Sequence, residues 1–172
     1  MATGKEFVIQ ELSDALAVEK AIVENERALA EAVKDTELKQ ALEEMANEDE
    51  GHVANFERVL ESLGSPKPVK VEPDDRTVLN ALRKVAQRGE EETERLSAHG
   101  LLKHKAVEAG EIFHELSQQL GKPKSMQPLE VNLREDRQHA KQLRELTLRI
   151  AQERATSGSG LKELQETVEA QA

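Results

Sequence analysis

Apolar side chains recur at three- and four-residue steps along most of this chain, the period of one helix face, and no segment alternates as a strand does. Val8, Leu12, Ala15, Ile22, Leu29 and Val33 mark a first helix over roughly 5 to 33, with Thr3 and Glu6 placed as a capping box. The break at Lys34-Asp35-Thr36 is short, and Asp35 or Thr36 can cap the next helix, which must therefore return antiparallel. Leu38, Leu42, Met45, Val53, Phe56, Leu60 and Leu63 carry that second helix from about 37 to 63, and Gly64 can end it.

Three prolines in GSPKPVKVEPDD, residues 64 to 75, make a stiff extended connector. A short helix follows over 76 to 88 on Val78, Leu79, Leu82 and Val85, stopping near Gly89. Connector and short helix together are long enough to cross the full length of a bundle. A further long helix covers 92 to 120, with an irregularity expected at His99-Gly100, and ends at Gly121-Lys122-Pro123. The last long helix, 127 to 154, has Pro128 in its first turn and runs on Leu129, Leu133, Ala140, Leu143, Leu146, Thr147 and Ile150. The reading is an all-α chain: a four-helix bundle over 1–155, made of hairpins 5–63 and 92–154 joined by a crossover at 64–91. Residues 156–172 read as a flexible TSGSG linker and a short terminal helix or tail.

Composition narrows the function. With 34 acidic against 24 basic residues the net charge is -10, which gives no electrostatic footprint for nucleic acid or an anionic membrane. No apolar run reaches the roughly 20 residues that span a bilayer, and MATGKEF has no signal-peptide core, so a cytoplasmic protein is expected. The absence of cysteine excludes disulfides and thiolate chemistry. With three Phe and no Trp or Tyr, the core must be aliphatic, and neither base stacking nor an aromatic cage is available.

Several acids nevertheless fall inside the apolar arcs. Two near-repeats, EDEGH (Glu48 to His52) and EDRQH (Glu135 to His139), each set an acid three residues before a histidine, which puts both on one helix face. Asp49 is central among Leu42, Met45, Ala46, Val53, Phe56 and Leu60, with His52 inside the same arc. Glu19 is central among Leu12, Ala15, Leu16, Ile22 and Val23, and Asp136 among Leu129, Leu133, Ala140 and Leu143, with His139 beside it. Glu108 lies at the flank of an arc made by Leu102, Ala109, Ile112, Phe113 and Leu116. Unpaired carboxylates in such places cost several kcal/mol each and repel one another, so something must neutralise them. A pair of divalent metal ions does so, and imidazole alongside carboxylate suits iron, manganese or zinc better than calcium or magnesium.

Hairpin arithmetic agrees. Glu19 and His52 are equidistant from 35.5, inside the first turn, and Glu108 and His139 from 123.5, inside the second. Glu48 and Glu135, four residues before their histidines, are alternative ligands. Glu26 also faces the core, without a matching acid on the second helix at its level. Glu111 and His114 form the one literal Glu-x-x-His, but point away from their apolar arc and read as a solvated pair, as do His104 and the cluster GEEETER.

These motifs resemble the ferritin-like superfamily, whose dinuclear sites take one Glu from each of two helices and a Glu-x-x-His from each of the other two. The stretches LSDALAVEK (Leu12 to Lys20), ELKQAL, the glycine within EDEGH and ELSQQLG before the second turn look most like the YciE/YciF-type stress proteins. The resemblance implies Glu19 and Glu108 as the lone glutamates, and Asp49 with His52 and Asp136 with His139 as the paired ligands. It further implies a dinuclear centre, iron foremost with manganese or zinc as alternatives, that handles metal or protects against peroxide, and a homodimer. Two departures stand out: Asp replaces the usual Glu in both paired motifs, and a gapless alignment puts Ala106 near the position of the second lone glutamate. The alternative is a non-enzymatic helical stress or interaction protein whose buried acids are satisfied by lysine, arginine, water or protons.

Overall fold

A computed structural model describes residues 4–70, 73–89, 92–119, 121 and 123–157. Thr3, and with it the expected capping box, lies outside these residues, as does the terminal segment from 158 onward. Five α-helices follow in order: α1 Gly4–Ala32, α2 Thr36–Ser62, α3 Pro73–Arg88, α4 Glu92–Gln119 and α5 Gln127–Ser157, the last entered through a 3-10 turn at Lys124–Met126. No helix among the described residues is long and apolar enough to cross a membrane.

Local chemistry sets the boundaries. Asp35, in extended conformation, caps α2 by accepting the Leu38 amide at 2.7 Å, and its carboxylate also holds both terminal nitrogens of Arg149 on α5 at 3.1 Å. The end of α2 is a Schellman turn: Gly64 has φ +77°, its amide reaches Glu61 O, and the Ser65 amide reaches Leu60 O. Gly121, with φ +76°, turns the chain after α4. Pro73 opens α3, where a missing amide hydrogen costs nothing, so this helix begins three residues before the expected start at 76. The irregularity expected at His99-Gly100 is not there; α4 is continuous. α5 runs three residues beyond the expected end and takes in Thr156 and Ser157 of the presumed linker.

On all four long helices a seam of buried positions steps by three and four alternately, as in the heptads of bundle packing. They are Leu12, Ala15, Glu19, Ile22, Glu26, Leu29 on α1; Leu38, Leu42, Met45, Asp49, His52, Phe56, Val59 on α2; Leu96, His99, Lys103, Ala106, Gly110, Phe113, Ser117 on α4; and Leu129, Asn132, Asp136, His139, Leu143, Leu146, Ile150 on α5. One apolar cluster, around Leu29, Leu38, Leu42, Leu96, Leu143 and Ile150, fills one end of the bundle. Another, around Leu12, Leu16, Phe56, Leu60, Phe113 and Leu129, fills the opposite end. The charged residues of the seam lie between them.

The hairpins meet through α2 and α5. His52 with Glu135, Glu48 with His139, and Asn55 with Asn132 are partner pairs, and each pair is equidistant from position 93.5, as antiparallel neighbours must be. The connector is tied to α1, where Ser13 Oγ accepts the Val69 amide and Gln10 donates to Lys70 O. α3 then packs across α1 and α4, setting Leu79 and Leu82 against Ile22, Leu102 and Ala106.

α4 and α5 approach most closely at Gly110, where a Cβ would come within 2.9 Å of Leu133 Cδ1 and 3.0 Å of its Cβ. Gly110→Val is expected to lower stability by about 1–3 kcal/mol through overpacking. Gly51, in the helical interior of α2, has open space where its Cβ would stand, so Gly51→Ala is expected to raise stability by about 0.5–1 kcal/mol. Urea unfolding midpoints moving in opposite directions confirm the pair, whereas a neutral Gly110→Val contradicts the close approach.

Candidate metal centre

The seam carries its polar side chains to one level. Glu19 of α1, Asp49 and His52 of α2 and Asp136 of α5 are all buried, and one ligand atom from each lies within 4.8 Å of the others. His52 Nδ1 is the hub: it stands 3.2 Å from Asp49 Oδ1, 3.5 Å from Asp136 Oδ1 and 3.7 Å from Glu19 Oε2. None of these four atoms makes a hydrogen bond. Buried polar atoms without partners are rare and costly, so four converging on one point are the signature of a group that takes a cation or protons there.

The outer nitrogen of His52 has a partner of its own. Its Nε2 is 3.0 Å from Glu135, the carboxylate one helix away, and Asn132 donates to the His52 carbonyl. His139 repeats the arrangement in mirror sense: Nε2 lies 2.8 Å from Glu48, and Nδ1 lies 3.2 Å from Asp49 Oδ1. The two rings are nearly parallel, with centroids 6.3 Å apart. Each EDxxH motif therefore spends its first acid on the histidine of the other motif. Glu48 and Glu135, the alternative ligands, orient imidazoles rather than enter the buried group.

Beside this group lies a second knot of charge. Lys103 of α4 is wholly buried, with Nζ 3.1 Å from Glu26 Oε1, in contact with Asp49 Oδ2, 3.7 Å from Asp136 Oδ1 and 3.3 Å from His139 Nδ1. His99 Nε2 approaches Glu26 Oε1 at 3.2 Å. Burial lifts the Glu19 carboxyl to about 8, helped by the charge of Asp136 and opposed by His52. Burial likewise pushes Glu26 well above the usual carboxylate range, against the pull of Lys103. For Asp49 burial is outweighed by His139, Lys103 and His52, which hold it below its ordinary value. Burial disfavours a charged His52, yet Asp136 and Glu19 overcome it and raise the ring to about 11. His139 is raised in the same way, burial giving way chiefly to Asp49, while burial and the Lys103 charge drive His99 down to about 3. Lys103 stays charged because Glu26, Asp49, Asp136 and Glu19 outweigh the cost of its burial.

A family model for a domain of unknown function, DUF892, matches residues 3–156. The chain belongs to the DUF892 family. Its fold matches that of the stress protein YciF of E. coli, with a TM-score of 0.71 at 22% identity over 86% of this chain and 96% of that one. The YciF-type ferritin-like bundle read from the motifs is thus the fold of this chain. Among curated proteins, a DNA nickase from Nostoc sp. is 26% identical over 147 residues, 83% of this chain but 41% of that protein. The DUF892 chain therefore spans less than half the length of the curated relative it matches.

Of the six ligand candidates, four converge, and His139 lies beside them on the far side of Asp49. Glu108 does not join them. It is exposed and lines an open surface groove with Glu11, Asp14 and Lys105. The reason is register: where α4 packs on α5, Gly110 meets Leu133, a pair equidistant from 121.5 rather than 123.5. The inward residues of α4 are consequently His99, Lys103, Ala106 and Gly110, rotated away from the arc on which Glu108 was placed. Ile112 of that arc is 39% exposed. Lys103 and His99 were missed altogether; the alternating steps from Leu96 to Phe113 are the signal that finds them.

Proton linkage gives this site a test. His52 and His139 bind protons more tightly folded than unfolded, so their stabilisation is complete below about pH 6.5 and is lost as pH rises, for His52 toward 11. Glu19 behaves likewise between 4.5 and about 8, whereas His99 acts in the opposite sense only below 6.5. Above pH 6.5 the surviving effects share one sign. Chelator-treated protein is expected to lose stability steadily from about pH 6.5 to 9, at about 2–4 °C in Tm per kcal/mol, with a shallower slope in His52→Gln. Thermal melts that hold level or rise across this window contradict the buried proton assignments.

Proposed function

We propose that this chain is a ferritin-like stress protein that holds a transition-metal ion, iron foremost, among Glu19, Asp49, His52 and Asp136, and serves metal handling or protection against peroxide. The observation that carries the reading is the convergence of four buried donor atoms that make no hydrogen bond: Glu19 Oε2, Asp49 Oδ1, His52 Nδ1 and Asp136 Oδ1. Three carboxylates and one imidazole are a donor set for iron, manganese or zinc. Glu135, by accepting from His52 Nε2, fixes the tautomer that leaves Nδ1 free to ligate. The metal supplies Lewis acidity and, if iron, redox chemistry. The homodimer implied by the resemblance belongs to the same proposal; Leu101 and Leu148 are large apolar side chains exposed beside one groove of α4 and α5.

Strand cleavage, named for the Nostoc relative, is not part of this proposal. A net charge of -10 offers no basic footprint for a phosphate backbone, and the matched segment is the minor part of that protein. One observation favours a second reading, a structural stress protein without bound metal: Lys103, His52 and His139 are placed to neutralise the buried acids by themselves.

Elemental analysis separates the two. Protein purified without chelator and loaded with Fe(II) is expected to retain metal, and His52→Ala to lose it. Glu135→Gln, which leaves every proposed ligand in place, is expected to weaken binding by roughly 10-fold. Wild-type protein without iron, manganese or zinc after loading refutes metal binding, and undiminished metal in His52→Ala refutes the ligand set.

A further inference from the structure

The two hairpins repeat with an offset of 87 residues, which relates Asp49 to Asp136, His52 to His139 and Glu48 to Glu135. The contacts obey the same relation, since His52 pairs with Glu135 and His139 with Glu48. Applied to the group of Glu19, Asp49, His52 and Asp136, the offset generates a second group: Ala106, Asp136, His139 and Asp49. Three of those four retain their donors. The fourth, where the first group has Glu19, is a buried alanine.

The middle of that second group is filled from the same helix. Lys103, one turn before Ala106, extends its side chain so that Nζ meets Asp49 Oδ2, Asp136 Oδ1 at 3.7 Å and His139 Nδ1 at 3.3 Å, and adds Glu26 Oε1 at 3.1 Å. These are carboxylates and an imidazole nitrogen, the donor chemistry of the first group, gathered around an ammonium. Asp49 serves both places: its Oδ1 lies 3.2 Å from His52 Nδ1 and 3.2 Å from His139 Nδ1, and its Oδ2 meets Lys103. Asp136 Oδ1 lies 3.5 Å from His52 and 3.7 Å from Lys103.

We infer that the Lys103 ammonium is a built-in cation standing where a second metal ion would otherwise sit, so that the bundle holds one ion rather than two. The inference rests on the metal-binding reading above and limits it. Position supports it: the ammonium already meets Asp49, Asp136 and His139, the three donors that the second group retains. Space supports it too, because a chain that fills the position with its own side chain leaves no room for an ion and its ligands.

Stoichiometry under anaerobic loading with Mn(II) tests this on the full chain. The wild type is expected to bind one ion per chain, with the spectrum of an isolated Mn(II) in electron paramagnetic resonance. Lys103→Ala combined with Ala106→Glu, which removes the ammonium and restores a glutamate related to Glu19, is expected to bind two ions with a spin-coupled signal. Should that variant fail to fold by circular dichroism, Lys103→Ala alone, which empties the position without adding a buried carboxylate, carries the same comparison. Two ions in the wild type, or one ion in both proteins, overturns the inference while leaving the metal-binding reading intact. No ion in the wild type overturns that reading, and this inference with it.

Discussion

The structure depends on buried charge being matched inside a bundle whose two ends are dry. Leucine-rich clusters close the seam on either side of the polar level, so Glu19, Glu26, Asp49 and Asp136 have no recourse to bulk water. An isolated ion in such a place costs several kcal/mol, and removing one partner of a buried pair typically costs about 3–5 kcal/mol. Lys103 is the residue on which this balance turns. It touches carboxylates from three helices at once, Glu26 on α1, Asp49 on α2 and Asp136 on α5, while being anchored on the fourth. No other charged side chain among the described residues is shown bridging all four walls of the bundle.

Around that centre, crossed carboxylate–imidazole pairs lock the hairpins together. Glu48 to His139 and Glu135 to His52 run between α2 and α5 at partly exposed edges, and the Asn55–Asn132 bond continues the same ladder. These contacts fix helix rotation, and rotation decides which atoms point inward. With Nε2 engaged outside, each ring must present Nδ1 to the interior. The fold thus converts a sequence duplication into a pair of inward-facing nitrogens. It leaves the halves unequal because α1 supplies Glu19 where α4 supplies Ala106.

The first hairpin was legible from the sequence because its pattern and its chemistry agree. Asp35 marks the turn as a cap, the pivot at 35.5 puts Glu19 beside His52, and the apolar residues of both helices surround the acids. α5 was legible for the same reason, with Asp136 and His139 in step with Leu129, Leu143 and Leu146. α4 was not. Its inward seam carries His99, Lys103, Gly110 and Ser117, while Leu101 and Ile112 are exposed, so although Leu96, Leu102 and Phe113 are buried, hydrophobic periodicity does not single out the polar positions that face inward. Lysine is among the side chains least often fully buried, which is why a rule weighing residues one at a time passes over it. Position 103 becomes visible only when the seam is followed by its alternating steps, or when the hairpins are overlaid and Ala106 falls on Glu19.

On the proposed reading, protons and a cation would compete for one place in this bundle. His52 Nδ1 cannot carry a proton and donate its lone pair to a cation at once, and burial keeps Glu19 partly protonated until it is neutralised. Without a divalent ion, His52 shares with Lys103 the work of balancing Asp49 and Asp136. With a divalent ion among Glu19, Asp49, His52 and Asp136, His52 is neutral and the ion takes over its charge, while Lys103 keeps its own contacts. If an ion binds there, it would do so in exchange for protons. Lys103 is thus a fixed counter-charge for the buried acids whether or not an ion is bound.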